Sequence, residues 1–157
     1  MIPESHFKAL KIIIEKLLGK KINWVVIGST NLVLQGIDVD VHDMDLLTDK
    51  EGGFRVAEAL KEHCVTPFSP KEKIPFKSYY GTFRILDVEV EVIAEIQHQL
   101  KTGKWSTESR IKDKILFDYK GLKIPLLPLE SELEAYELMG RTEKANKIKA
   151  VLDKAKR

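Results

Sequence analysis

Apolar positions near the start of the chain recur every three or four residues: Phe7, Leu10, Ile14 and Leu17 make one stripe, with Ile13 and Leu18 beside it. That spacing predicts an amphipathic helix, which Gly19 closes. The run NWVVI, residues 23–27, is short, continuous and rich in β-branched and aromatic side chains, as expected of a strand covered on both faces. Gly28 ends it. Ser29 to Gln35 supplies two helical turns with Gly36 as the stop, and Met44 to Leu47 predicts a second strand after a short acidic loop. Phe54, Ala57, Leu60 and Cys64 then mark another helical face behind a Gly52-Gly53 start, and Pro67 and Pro70 predict irregular chain after it.

From Tyr79 the period changes to two. Residues 79–93 (YYGTFRILDVEVEVI) place Val88, Val90 and Val92 on one face and Asp87, Glu89 and Glu91 on the other. This predicts either one long bent strand or a hairpin turning near Leu86-Asp87. Residues 115–124 (ILFDYKGLKI) read as a hairpin about Lys120-Gly121, with Pro125 and Pro128 ending the sheet region. In the C-terminal part, Ser131 and Glu134 have capping-box spacing, and Leu129, Leu133 and Tyr136 form a helical stripe. Gly140 interrupts it, and Thr142 opens a last helix carrying Ala145, Ile148 and Leu152. The expected fold class is α/β in the broad sense (α+β), a mixed β-sheet flanked by helices. A single domain is expected over residues 1–157, with 129–157 as a helical extension.

Composition narrows the partners. A chain of 157 residues with 43% apolar content suits one real core. Its 26 basic and 24 acidic side chains nearly cancel, so overall charge argues for neither a nucleic-acid-coating nor a membrane-surface protein. The one cysteine, Cys64, has no internal disulfide partner and is expected to pack as a small apolar residue. No leader pattern opens the chain, and no apolar stretch approaches the roughly 20 residues needed to span a bilayer. The expectation is a reduced, cytoplasmic protein with no membrane partner.

The acidic loop carries the chemistry. Asp43 and Asp45 stand two residues apart on a predicted strand, so both carboxylates leave one face with α-carbons roughly 6.5 Å apart. Their repulsion favours either a shared proton or a hard divalent cation between them. Upstream, a strand ending in Gly28-Ser29 and leading into a short helix presents backbone N–H groups and a hydroxyl suited to phosphate. A calcium-binding loop starting at Asp38 is excluded, because Asp43 stands where that loop requires glycine.

Ile27-Gly28-Ser29 followed by Asp43-Met44-Asp45-Leu46 resembles, in order and spacing, the signature of the DNA polymerase β-like nucleotidyltransferase superfamily, particularly its small stand-alone members. The resemblance covers about residues 22–95. It implies a nucleotidyltransferase fold and a third carboxylate, for which Val90-Glu91-Val92-Ile93 has the expected setting; a register shift would present Glu89 instead. It further implies an enzyme in which Asp43, Asp45 and Glu91 hold Mg²⁺, or Mn²⁺, while Gly28, Ser29 and Thr30 contact a nucleoside triphosphate, ATP foremost. The implied reaction is two-metal transfer of a nucleoside monophosphate to a hydroxyl acceptor, with pyrophosphate leaving. The acceptor is left open among a small molecule, an RNA end and a protein side chain. Another reading on the same fold is a catalytically weak nucleotide-binding or interaction protein, one half of a two-protein complex. A structural domain whose aspartates bind metal or nothing is a third. The short chain after Glu91 leaves little room for an acceptor-binding domain, so a homodimer or a partner subunit is expected.

Overall fold

The structure, a computed structural model, describes residues 1–156. Helix α1 (Glu4–Leu17) buries Ala9, Leu10, Ile13 and Leu17, with Phe7 and Ile14 of the expected stripe half-buried, while Leu18 lies just past the helix and is exposed. Strand β1 (Trp24–Ile27) runs into α2 (Gly28–Leu34), and β2 (Met44–Thr48) into α3 (Lys50–Ala59). After a short 3-10 turn come β3 (Cys64–Lys73), β4 (Phe76–Ile85) and β5 (Val88–His98). The chain ends with β6 (Ile115–Tyr119), β7 (Leu122–Leu126), α4 (Leu129–Leu138) and α5 (Thr142–Ala155).

The strands form one mixed sheet in the order β3-β4-β5-β2-β1-β7-β6. Pairing is antiparallel except between β2 and β5 and between β1 and β7. The two expected hairpin turns lie where the alternation broke: Leu86 and Asp87 take φ of 50° and 64°, and Lys120 and Gly121 take 52° and 82°. Two consecutive left-handed residues are what a two-residue turn needs to match strand twist.

Alternation also decides which face holds the core. Met44, Leu46, Val90, Val92, Phe83 and Ile85 pack in one cluster with Leu10 and Ile13 of α1 and Val56 and Leu60 of α3. The intervening positions, Asp45, Glu89 and Glu91 among them, therefore leave the sheet on the opposite face. A second cluster joins Leu32 of α2 and Ile37 to Leu129, Tyr136, Ala145 and Ile148, which fastens α4 and α5 to the start of the fold.

Several local expectations are corrected. Cys64 begins β3 and is exposed, rather than closing a helical stripe and packing inside. Pro67 and Pro70 do not break the chain into an irregular loop; they lie within β3, which pairs on one side only and shifts register between Cys64 and Ser69. An edge strand tolerates the lost N–H groups. Gly52 and Gly53 lie inside α3, whose N-cap is Asp49, accepting from the Gly52 N–H at 2.6 Å. Side chains at these two positions would overlap Thr48 and the Phe68 ring. Pro125 sits within β7, and Ser131 lies inside α4, which starts at Leu129 without a side-chain cap.

Candidate active site

Strand β2 lies between β1 and β5, so its residues from Asp45 to Thr48 each meet both. Asp45 is the register partner of Ile27 on one side and of Glu91 on the other, and Glu91 in turn faces Thr82 of β4. Parallel β2–β5 pairing thus closes the long sequence separation between the two carboxylates. Asp43 occupies the bend just before β2 rather than the strand itself. Even so, one carboxylate oxygen from each of Asp43, Glu89 and Glu91 lies within 4.8 Å of the others, close enough to share a cation. Both Glu89 and Glu91 are at the cluster, and Glu91 is the register partner of Asp45.

Asp45, expected beside Asp43, lies outside that trio and is the recessed carboxylate. Its Oδ1 is buried without a hydrogen-bond partner, and its Oδ2 would lie 2.7 Å from a Cβ added at Gly28. Gly28 also takes φ of +72°, so glycine serves here for both conformation and clearance. Burial is the main force raising the Asp45 pKa; the adjoining Glu91 carboxylate, through proton sharing and charge, comes next, followed by the charges of Asp43 and Glu132. Without a cation the Asp45–Glu91 pair keeps a proton at neutral pH.

Around this pair the other groups are oriented by their neighbours. Tyr80 donates its hydroxyl to Glu91 Oε1 at 2.7 Å, and Lys71 Nζ stands 3.8 Å from the centre of the Tyr80 ring. Burial, then the Glu91 bond, raises the Tyr80 pKa, keeping its hydroxyl a donor. The buried Ser29 Oγ accepts the His42 N–H at 3.0 Å, which leaves its own proton for another acceptor. Thr30 is fully buried with its Oγ1 unpartnered, so its hydroxyl is enclosed beneath the turn.

One group near the site was not anticipated. Glu132 of α4 is 3% exposed, and its Oε2 accepts both the Gly28 N–H and Asn31 Nδ2 at 2.8 Å. Burial raises its pKa to about 7, while the Asn31 and Gly28 bonds and the Lys144 charge pull the other way. A signal was present: Glu132 stands three residues after Leu129 and four before Tyr136, on the helix's apolar stripe.

The family profile described as aminoglycoside-2''-adenylyltransferase matches residues 9–152. The chain belongs to this family. A candidate nucleotidyltransferase of Thermotoga maritima, known from its crystal structure, superposes with a TM-score of 0.84 at 34% identity, covering 98% of this chain and 96% of that one. The lincosamide antibiotic adenylyltransferase LnuA, crystallised with lincomycin, superposes at 0.56 with 15% identity, covering 96% of this chain and 98% of LnuA, a likeness of fold alone. No curated protein matches the sequence. The fold is a nucleotidyltransferase fold, and the chain sits within the nucleotidyltransferase superfamily.

Proposed function

We propose that the protein is a divalent-cation-dependent nucleotidyltransferase of the polymerase β-like type, transferring AMP from ATP to a hydroxyl group of a small acceptor. The observation that carries this reading is the convergence of Gly28, just past β1, with Asp45 of β2 and its partner Glu91 of β5, Asp43 and Glu89 lying near Glu91. The donor set fits the cation: all oxygens, several of them carboxylates, and one buried oxygen on Asp45 with no partner in the protein. Asp43, Asp45 and Glu91 would hold Mg²⁺ or Mn²⁺, with Glu89 in reach. When bound, such ions neutralise phosphate charge and make a hydroxyl easier to deprotonate.

The chain's own residues do the rest. Ser29 donates its free hydroxyl proton to a phosphate oxygen, aided by the backbone N–H groups opening α2, Thr30's among them. Gly28 permits close approach to Asp45, and Tyr80 fixes the Glu91 carboxylate. Pyrophosphate leaves as the acceptor oxygen bonds to the α-phosphorus, and the acceptor proton passes to a site carboxylate or to water. Family membership supports a small hydroxylated acceptor of the aminoglycoside kind over an RNA end or a protein. The exposed carboxylate of Asp43 and the half-buried one of Glu89 suit an acceptor that bears amines.

Incubating the protein with Mg²⁺ or Mn²⁺ and each α-labelled nucleoside triphosphate, against hydroxylated antibiotics, RNA and protein pools, tests the reading. ATP should label a small molecule and release pyrophosphate. Asp43→Ala combined with Asp45→Ala should cut release by about 10²–10³-fold or more while the circular dichroism spectrum stays that of a folded chain. Nucleotide binding without any pyrophosphate would instead identify a binding module on this fold.

A further inference from the structure

We infer that Glu132 is a positioning residue of the nucleotide site, holding the Gly28-Ser29 turn from behind, so that the C-terminal helical pair is a working part of the transferase. The inference rests on the reading of that turn as the nucleotide contact.

Gly28 is the least restrained residue of the turn, since glycine at φ of +72° has many alternatives. Two groups limit it. Asp45 Oδ2 stands 2.7 Å from where a Cβ would be, and Glu132 accepts its N–H. Glu132 itself is anchored, because Asn31 Nδ2 donates to it and also to the Leu127 carbonyl at 2.9 Å. Gln35 Nε2 completes the set, donating to Asn31 Oδ1 and to Leu127 O at 2.8 Å each. Leu129 and Tyr136, on either side of Glu132 in α4, pack against Leu32 of α2. Helix α4, the exit of β7 and the phosphate-facing turn are thus one hydrogen-bonded unit.

Packing alone does not call for a carboxylate there. Filling the position with an apolar side chain would avoid the cost of burying a charge. What leucine does not supply is an oxygen that fixes the direction of the Gly28 N–H, and with it the position of Ser29 one residue on. Because its hydrogen bonds go to Gly28 and Asn31 and it is buried away from the open face, Glu132 acts through Gly28 rather than on substrate.

The test compares wild type, Glu132→Gln and Glu132→Leu. Binding of a non-hydrolysable ATP analogue with Mg²⁺ is read by calorimetry, kcat and KM by pyrophosphate release, and amide exchange at Gly28 and Ser29 by NMR. With its amide oxygen in place of Oε2, glutamine keeps both the Gly28 and the Asn31 bonds, so nucleotide affinity should stay within about threefold of wild type; leucine should lower it by about 10- to 100-fold. In the leucine protein KM for the nucleotide should move more than kcat, and the Gly28 amide should exchange faster. If leucine prevents folding, Glu132→Met, of nearly the same length but without the oxygen, decides. A folded leucine or methionine variant with wild-type nucleotide affinity and wild-type Gly28 exchange overturns the inference. Absence of nucleotide binding in the wild type overturns the nucleotide reading itself, which is a separate result.

Discussion

Gly28 lies where two seams of the molecule meet, and each seam carries one buried carboxylate. On the β2–β5 seam, Asp45 has an oxygen with no partner and like charges around it. On the α2–α4 seam, Glu132 is more deeply enclosed, yet one of its oxygens accepts two hydrogen bonds. Burial raises both pKa values, so desolvation alone does not separate their roles. Satisfaction does. A carboxylate satisfied by protein donors holds structure together, whereas one with an unpartnered buried oxygen and acidic neighbours fits the metal-ligand role proposed for Asp45.

The largest disturbance should come from the residue common to both seams. Gly28→Ala places a Cβ 2.7 Å from Asp45 Oδ2 and forces an L-residue into φ of +72°. The conformational strain is about 1–2 kcal/mol. Displacing the turn should lower kcat/KM by about 10²-fold, measured as pyrophosphate release. Near-normal activity would show that the two seams are not coupled through this residue.

Next comes the α2–α4 seam by itself. The Glu132 pKa in the folded chain, about 7, lies above its ordinary value of 4.5. Folding therefore favours the protonated carboxyl, and its contribution to stability is whole below that ordinary pKa and disappears as pH rises through the folded one. The loss should be on the order of 3 kcal/mol, complete just above neutrality. Urea denaturation of wild type and Glu132→Gln across pH 4 to 8 should show this slope in the difference between the two proteins. Parallel curves would remove Glu132 from the pH response.

The β2–β5 seam predicts a proton rather than a bond. A divalent cation binding to Asp45 should displace the proton held by the Asp45–Glu91 pair, releasing about one proton at pH 7. Calorimetry in buffers of different ionisation enthalpy measures it, and Asp45→Asn should abolish it. Metal binding with no proton release would contradict the paired-carboxyl picture. The smallest effect is expected at the margin of this seam. Tyr80→Phe removes the donor to Glu91 Oε1 on a half-exposed surface. It should weaken Mn²⁺ binding by about three- to tenfold, read by electron paramagnetic resonance, with little change in melting temperature.

Short-range features were legible in the sequence and long-range ones were not. Gly28-Ser29 and the Asp43–Asp45 spacing could be read because strand period, turn chemistry and carboxylate repulsion act over a few residues. The hairpin at Lys120-Gly121 was equally readable, whereas at Leu86-Asp87 the alternation left a bent strand open beside the hairpin that the structure has. Strand β3 was not. Of its ten residues only Phe68 is buried, and two are prolines, so an edge strand paired on one side looked like a loop. Glu132 was missed for a different reason. Ser131 and Glu134 offered a local capping pattern, and nothing local reveals that a carboxylate on an apolar stripe will find donors on a helix far away in sequence.

By itself, then, the chain's order of apolar and polar residues determined the mixed sheet flanked by helices, the Gly-Ser turn and the first acidic pair, because each depends on neighbours within a turn or a pleat. Tertiary structure alone decided that Glu91 stands opposite Asp45, that Glu89 stays within reach, and that Glu132 holds the turn. Those contacts depend on the register of the parallel β2–β5 pair and the docking of α4 on α2. Both are set by the packing of buried side chains from distant segments, which no short stretch of sequence contains.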